Sequence, residues 1–408
     1  MMFTTLTALR SPRRRAALAA ALLAAALTGA LAGCGGGVDS GGTGAPVASY
    51  ASGTITGFGS VIVNGVRFDD SAAAVTDADD NARSRDDLRL GMTAEVNGTA
   101  IVTDADGRDA STARSIVIAS ELVGPVSAND LVGRRLVVLG QTVDVADGTV
   151  FDTSLAGGQA ALAVGDRIEV YGHFDPASGR YAATRIERKA ASAGFVLRGI
   201  VAALDTSGRS FTIGATRISY AALPASAVPT TLADGRFVRV RLGAVPTTGS
   251  VWTATGIVDA MARIADDDDT RIRGRVSAFV STRQFSVNGT PVDAATASFP
   301  DGSAGLALGA RAEVEGRSAA GVLVARRVEV ESEGNESGRD FDVRGLVTAL
   351  DRTAQTFTVR NVVVSYAGSV DFRDGGAADL ALGREVDARG RLSPDGTRLQ
   401  ATRIDLRR

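Results

Sequence analysis

Gly165-Asp-Arg-Ile-Glu-Val-Tyr-Gly172 decides the fold, because this chain of 408 residues writes the same pattern five times. Gly91 to Gly98 reads G-M-T-A-E-V-N-G, Gly309 to Gly316 reads G-A-R-A-E-V-E-G, and Gly383 to Gly390 reads G-R-E-V-D-A-R-G. Gly235 to Leu242 reads G-R-F-V-R-V-R-L and loses only the final glycine. Apolar and polar residues alternate between the glycines, the period of a strand with one buried face. Ile168 and Val170 point inward on this reading, and Glu169 outward. The outward position becomes Glu95, Arg239, Glu313 and Asp387 in the other copies, which reads as a solvated face.

Working outward, each copy is entered through Leu-x-x-Gly: Leu88 to Gly91, Leu162 to Gly165, Leu232 to Gly235, Leu306 to Gly309 and Leu380 to Gly383. A glycine, any residue and a β-branched residue open each unit, at Gly53, Gly124, Gly199, Gly274 and Gly345, spaced by 71, 75, 75 and 71 residues. Ala-x-x-Ile or Ala-x-x-Val closes each unit, from Ala113, Ala183, Ala254, Ala325 and Ala401. Three anchors in one order, five times over, define tandem repeats. Between the first two anchors lies a hairpin, marked by Asn64-Gly65 and Asn288-Gly289, the strongest short signal for a type I′ turn.

Each unit of about 70 residues therefore reads as a three-strand meander, a connector and two more strands. An all-β fold follows, and a small closed OB-like barrel fits best because closure removes exposed edges. A small sandwich is the alternative. The expected bounds are 53–121, 122–193, 194–265, 271–331 and 341–408. Ile116 to Val123 reads as a stiff join. Asp266–Asp269 and Glu331–Gly338 read as acidic breaks, the second as a hinge.

The repeats resemble a bacterial family known only as domain of unknown function 5666, found in envelope lipoproteins. G-x-V, L-x-x-G-x-x-h-x-V-x-G (h apolar) and A-x-x-I carry the resemblance. It implies architecture and no catalytic residues.

Ahead of the repeats, Arg10, Arg13, Arg14 and Arg15 precede an apolar run from Ala16 to Ala32. That order is a bacterial export signal; an uncleaved transmembrane helix is the alternative. Leu31-Ala-Gly33-Cys34 resembles a lipobox. The resemblance implies a signal peptide over 1–33, cleavage between Gly33 and Cys34, and lipidation of Cys34, which places the protein on a lipid bilayer. Gly35, where an Asp would favour the inner membrane, points to the outer membrane. Residues 34–52 then read as a lipidated, flexible tether with a reach of roughly 25 Å. Cys34 is the only cysteine, so disulfides and thiol catalysis are not expected.

Charge and composition narrow the function. There are 44 basic and 46 acidic residues, four of the basic ones before Cys34, so the processed chain carries −6. That balance and the scarcity of aromatics argue against nucleic acid. Lys189 is the only lysine and His173 the only histidine; His173 reads as a solvated loop residue with at most a local pH response. Asp77-x-Asp79-x-Asn81 imitates the start of a calcium loop, but Ala82 and Leu88 stand where Gly and Glu are needed. Asp104-x-Asp106-Gly-x-Asp109 is a second weak calcium candidate and ordinary hairpin chemistry. Gly57, Gly59 and Gly65 precede a strand, so they form no phosphate loop. Glu95 and Asp87 are too loosely placed to be a glycosidase pair. No cofactor is expected.

The expectation is a non-enzymatic envelope lipoprotein that presents a row of barrels. It binds a glycan or protein through loops such as Ser71–Leu88 or Tyr220–Leu232. A pure spacer is the alternative, and a carboxylate-based hydrolase of envelope glycan the distant one.

Overall fold

The computed structural model of the chain describes residues 48–104, 107–190, 194–243, 250–260, 264, 266, 269–331 and 340–407. Gly33, Cys34, Asp106 and most of the Glu331–Gly338 stretch lie outside them, so the lipobox and the expected hinge are not among the described features. No helix of the described residues is long and apolar enough to cross a membrane.

From Pro46 onward the chain forms one compact unit built from five barrels. The second barrel shows the plan. Leu122–Asp130 pairs antiparallel with Arg135–Val138, and that strand with Gln141–Phe151. Arg167–Asp175 then pairs antiparallel with both the first strand and the fifth, Arg180–Arg188. A parallel pairing of the third and fifth strands closes the circle. The order is 1-2-3-5-4 and back to 1, the OB order. The same circuit closes in the other four units, with parallel third-to-fifth pairings in each. Each sheet closes on itself, which removes the sandwich alternative.

The anchors have physical causes. Ile168 and Val170 are fully buried, as are Val96, Val240, Val314 and Val386 at equivalent inward positions. Gly165 adopts φ 95° at the corner leading into the fourth strand, a conformation that would strain any other residue. Gly172 sits at a bulge where the fifth strand's Ala182 carbonyl leaves no room for a side chain. The opening glycine has a different cause: the Asn64 side chain folds back over Gly53, and its Nδ2 donates to the Ser52 carbonyl at 2.8 Å. Asn288 lies over Gly274 in the same way.

Two expectations are corrected. The first barrel's opening strand is Ala48–Phe58, so the last residues of the expected tether are strand, and Tyr50 is fully buried. The barrels also do not form a row. The opening strand of the first barrel pairs in parallel with that of the fourth, Ser49 to Ser52 against Asp269 to Ile272. It also pairs with the fifth, at Gly57 and Phe58 against Asp342 and Val343. Those three barrels share one continuous hydrogen-bonded sheet, and the second and third share another. The second barrel docks on the first: Thr184 Oγ1 donates to the Gly91 carbonyl at 2.6 Å and Arg185 Nη1 to the Leu90 carbonyl at 3.1 Å. Units this small bury little surface alone, and a cluster buries more of each unit than a row does.

Candidate functional site

The outward face of the fourth strand is where the sequence reading fails and the site begins. Glu169 is buried, not solvated, and its carboxylate lies 2.5 Å from Lys189 Nζ. Arg239, at the same position of the third barrel, is also buried. A barrel's outer face becomes an interior face once another barrel covers it, which no pattern within one repeat can reveal.

Where the first three barrels meet, these residues wall a cleft of about 820 Å³. The first barrel contributes Asp77 to Asp87, from the long connection between its third and fourth strands. The second contributes Glu169, Tyr171, Glu187 and Lys189. The third contributes Phe195, Arg239, Arg241 and Leu242. Both departures of the third copy from the repeat pattern, Arg for the outward acid and Leu242 for the closing glycine, fall on this wall. So does the chain's only lysine.

The connection is held by its own carboxylates. Asp77 accepts from the backbone N–H of Asp79 and Asn81, from Asn81 Nδ2 at 3.1 Å, and from Arg83 Nη2 at 2.7 Å. Burial alone would raise the Asp77 pKa, but these donors outweigh it and hold it below the usual carboxylate range. Asp79 reaches across to ion-pair with Arg239, and with Arg241 at 2.8 Å. Lys189 loses hydration, yet attraction from Glu169 and then Glu187 raises its pKa, so it stays charged.

The first weak calcium candidate is thus spent on arginines: Asp77 and Asn81 shape a turn that Arg83 completes, and Asp79 clasps the third barrel. In the second, Asp104 accepts from the Arg108 backbone N–H at 2.8 Å, and Asp109 pairs with Arg271 of the fourth barrel at 2.8 Å. Among the described residues no group of three or more His, Cys, Asp or Glu is placed to hold a metal. Asp87 accepts from the Ser84 backbone N–H at 2.8 Å, while Glu95 lines a different cavity, so the structure does not bring them together as a pair.

His173 is corrected as well. It lies in the fourth strand of the second barrel, is buried, and sets Nε2 3.3 Å from Thr54 Oγ1 of the first. It lines a cavity of about 40 Å³ with Glu95, Glu121 and Arg198. Glu121, in the join between the first and second barrels, and Arg198 of the third form a buried ion pair at 3.0 Å. Burial pushes the Glu121 pKa up against the pull of Arg198. Such a pair fixes which barrels meet more than it stabilises them.

Of the two expected binding loops, Ser71–Leu88 walls the cleft and also grips the fifth barrel's hairpin. Asp70, next to it, pairs with Arg360 at 2.9 Å, and Asn361 Nδ2 donates to the Asp86 carbonyl at 3.3 Å. Tyr220–Leu232 lies apart and borders an open depression with Arg236, Val258 and Asp259.

The repeat geometry agrees with the comparisons to known proteins. Residues 123–187, 273–329 and 344–405 each match the family described as Domain of unknown function (DUF5666). The second, fourth and fifth barrels therefore each match that family, and the first and third share their strand circuit. No curated protein matches the chain.

Proposed function

We propose that this chain is a non-enzymatic binding protein of the bacterial envelope, lipid-anchored at Cys34, whose ligand site is the cleft between its first three barrels. The supporting observation is convergence: the longest connection, the two departures from the repeat and the single lysine meet around one space of about 820 Å³. Ligand sites of this size favour concave junctions between domains. Eleven charged side chains line it, with acids and bases in near balance. That wall offers many donors and acceptors and little net field, which suits a neutral or mixed polar ligand such as an envelope glycan. The spacer reading loses support because a chain folded back to join its first and fourth barrels gains little length.

Lys189 supplies the test. Its side chain is about one-third exposed and carries the only lysine amine, so an amine-directed acylating reagent reports on the cleft by mass. Envelope glycan fractions should slow acylation of Lys189, and Arg241→Glu should abolish that protection. An unchanged acylation rate with every fraction would remove the cleft as the glycan site.

A further inference from the structure

A second cavity, of about 340 Å³, lies where the first, second and fifth barrels meet. Part of its lining is apolar, with Val150 and Phe151 of the second barrel and Val362 and Leu392 of the fifth. Three guanidinium groups line it too, those of Arg89, Arg185 and Arg398. Arg185 is buried and already balanced, with Glu187 at 2.6 Å and Asp152 at 3.9 Å. Arg89 and Arg398 are different: neither forms an ion pair with any described residue. Arg89 Nη1 reaches only backbone carbonyls, that of Leu88 at 2.9 Å and that of Asp86. Arg398 is exposed, so it stands where solvent reaches the cavity.

We propose that this cavity binds a small amphipathic anion, with a single negative head between Arg89 and Arg398 and a short apolar tail along Phe151 and Leu392. Guanidinium matches carboxylate and phosphate oxygens in planar, paired hydrogen bonds. An anion there would pair directly with two cations that otherwise meet acids only at a distance, Arg89 with Asp152 and Arg398 with Asp395. Asp152, the one acid lining the cavity, disfavours heads of higher charge. The tail gains by leaving water for an apolar surface. Arg89 and Asp152 border both cavities, but the inference does not rest on the glycan reading, because Arg398, Phe151 and Leu392 line this cavity alone.

Calorimetry on the full chain with octanoate, octyl phosphate, octanol and acetate separates the parts. Octanoate should bind, and octyl phosphate, which carries close to two charges near pH 7, should bind more weakly. Octanol, which lacks the charge, and acetate, which lacks the tail, should each bind at least about tenfold more weakly. Arg398→Ala should weaken the octyl anion about tenfold and leave octanol unchanged. Val362→Phe, which fills tail space, should weaken both, with an unchanged melting curve showing that each variant folds. No binding of either octyl anion, octanol binding as tightly as octanoate, or full affinity in folded Arg398→Ala would overturn the proposal.

Discussion

The fourth strands of the third and fifth barrels put opposite charges at the same repeat position. In the third barrel it is Arg239, which meets Asp79 of the first barrel, an acid that also pairs with Arg241. In the fifth it is Asp387, whose carboxylate faces Asp342 of its own first strand. One oxygen of each of those carboxylates is buried without a hydrogen-bond partner. Asp342 in turn pairs with Arg67 of the first barrel at 2.6 Å. Inward positions of the repeat are interchangeable because every barrel has the same interior. In the third barrel the charge of the outward position answers a neighbouring barrel, whereas in the fifth its partners Asp342, Arg389 and Arg407 lie in its own barrel.

The largest effect should come from the part the two strands share. Val240→Asp or Ala388→Asp places a carboxylate in a barrel interior and should cost about 4 kcal/mol or more, read as loss of the thermal transition of that variant. Equal damage in both barrels is expected, and a mild effect in either would show that the inner faces are not equivalent.

Arg239→Ala should cost less, about 2 kcal/mol, because it strips one partner from a partly buried acid that keeps Arg241. It should also open the cleft between the first and third barrels, seen as faster hydrogen exchange over Asp77–Asp87. Unchanged exchange there would mean that Asp79 is not the clasp.

The smallest effect depends on pH and has the opposite sign. Burial, then the hydrogen bond to Asp342 and its repulsion, raise the Asp387 pKa from 3.8 to about 6, against the pull of Arg389 and Arg407. A raised carboxyl pKa means that the folded chain binds the proton more tightly. This contribution to stability is full below pH 3.8 and is lost as pH rises toward about 6. Asp387→Asn should remove that slope, gaining roughly 1–2 kcal/mol at pH 8 and nothing at pH 4. Glu313, raised by burial to about 7 against Arg273 and Arg271, should behave alike as Glu313→Gln. Urea melts at the two pH values decide the matter, and a pH-independent difference would contradict the raised Asp387 pKa.

These cases explain what the sequence could and could not say. Alternation around Val170, the corner glycine Gly165 and the bulge glycine Gly172 are caused by contacts within one unit, so the barrel and its strand order were legible. Asn64 over Gly53 is only partly of this class, because its Nδ2 also donates to the Arg271 carbonyl of the fourth barrel at 3.3 Å. Asp79 meeting Arg239 joins positions 160 residues apart, and nothing local marks them as partners. Glu169 and His173 looked solvated for the same reason. The available signal was the third repeat's departures, Arg239 and Leu242, which a comparison of repeats exposes without assigning them a place. Asp77, Asp79 and Asn81 drew attention as a cation loop because carboxylate spacing was visible and the arginines that neutralise it were not.

The central claim is that strands shared between barrels fold five barrels into a cluster rather than a row, and small-angle X-ray scattering on the chain from Pro46 onward tests it most directly. A compact body of this length has a radius of gyration of about 20–25 Å, whereas five units of about 11 Å each in line exceed about 35 Å. The account predicts the smaller value and little change in 1 M salt, since shared strands hold the cluster together. A radius above about 35 Å would contradict it.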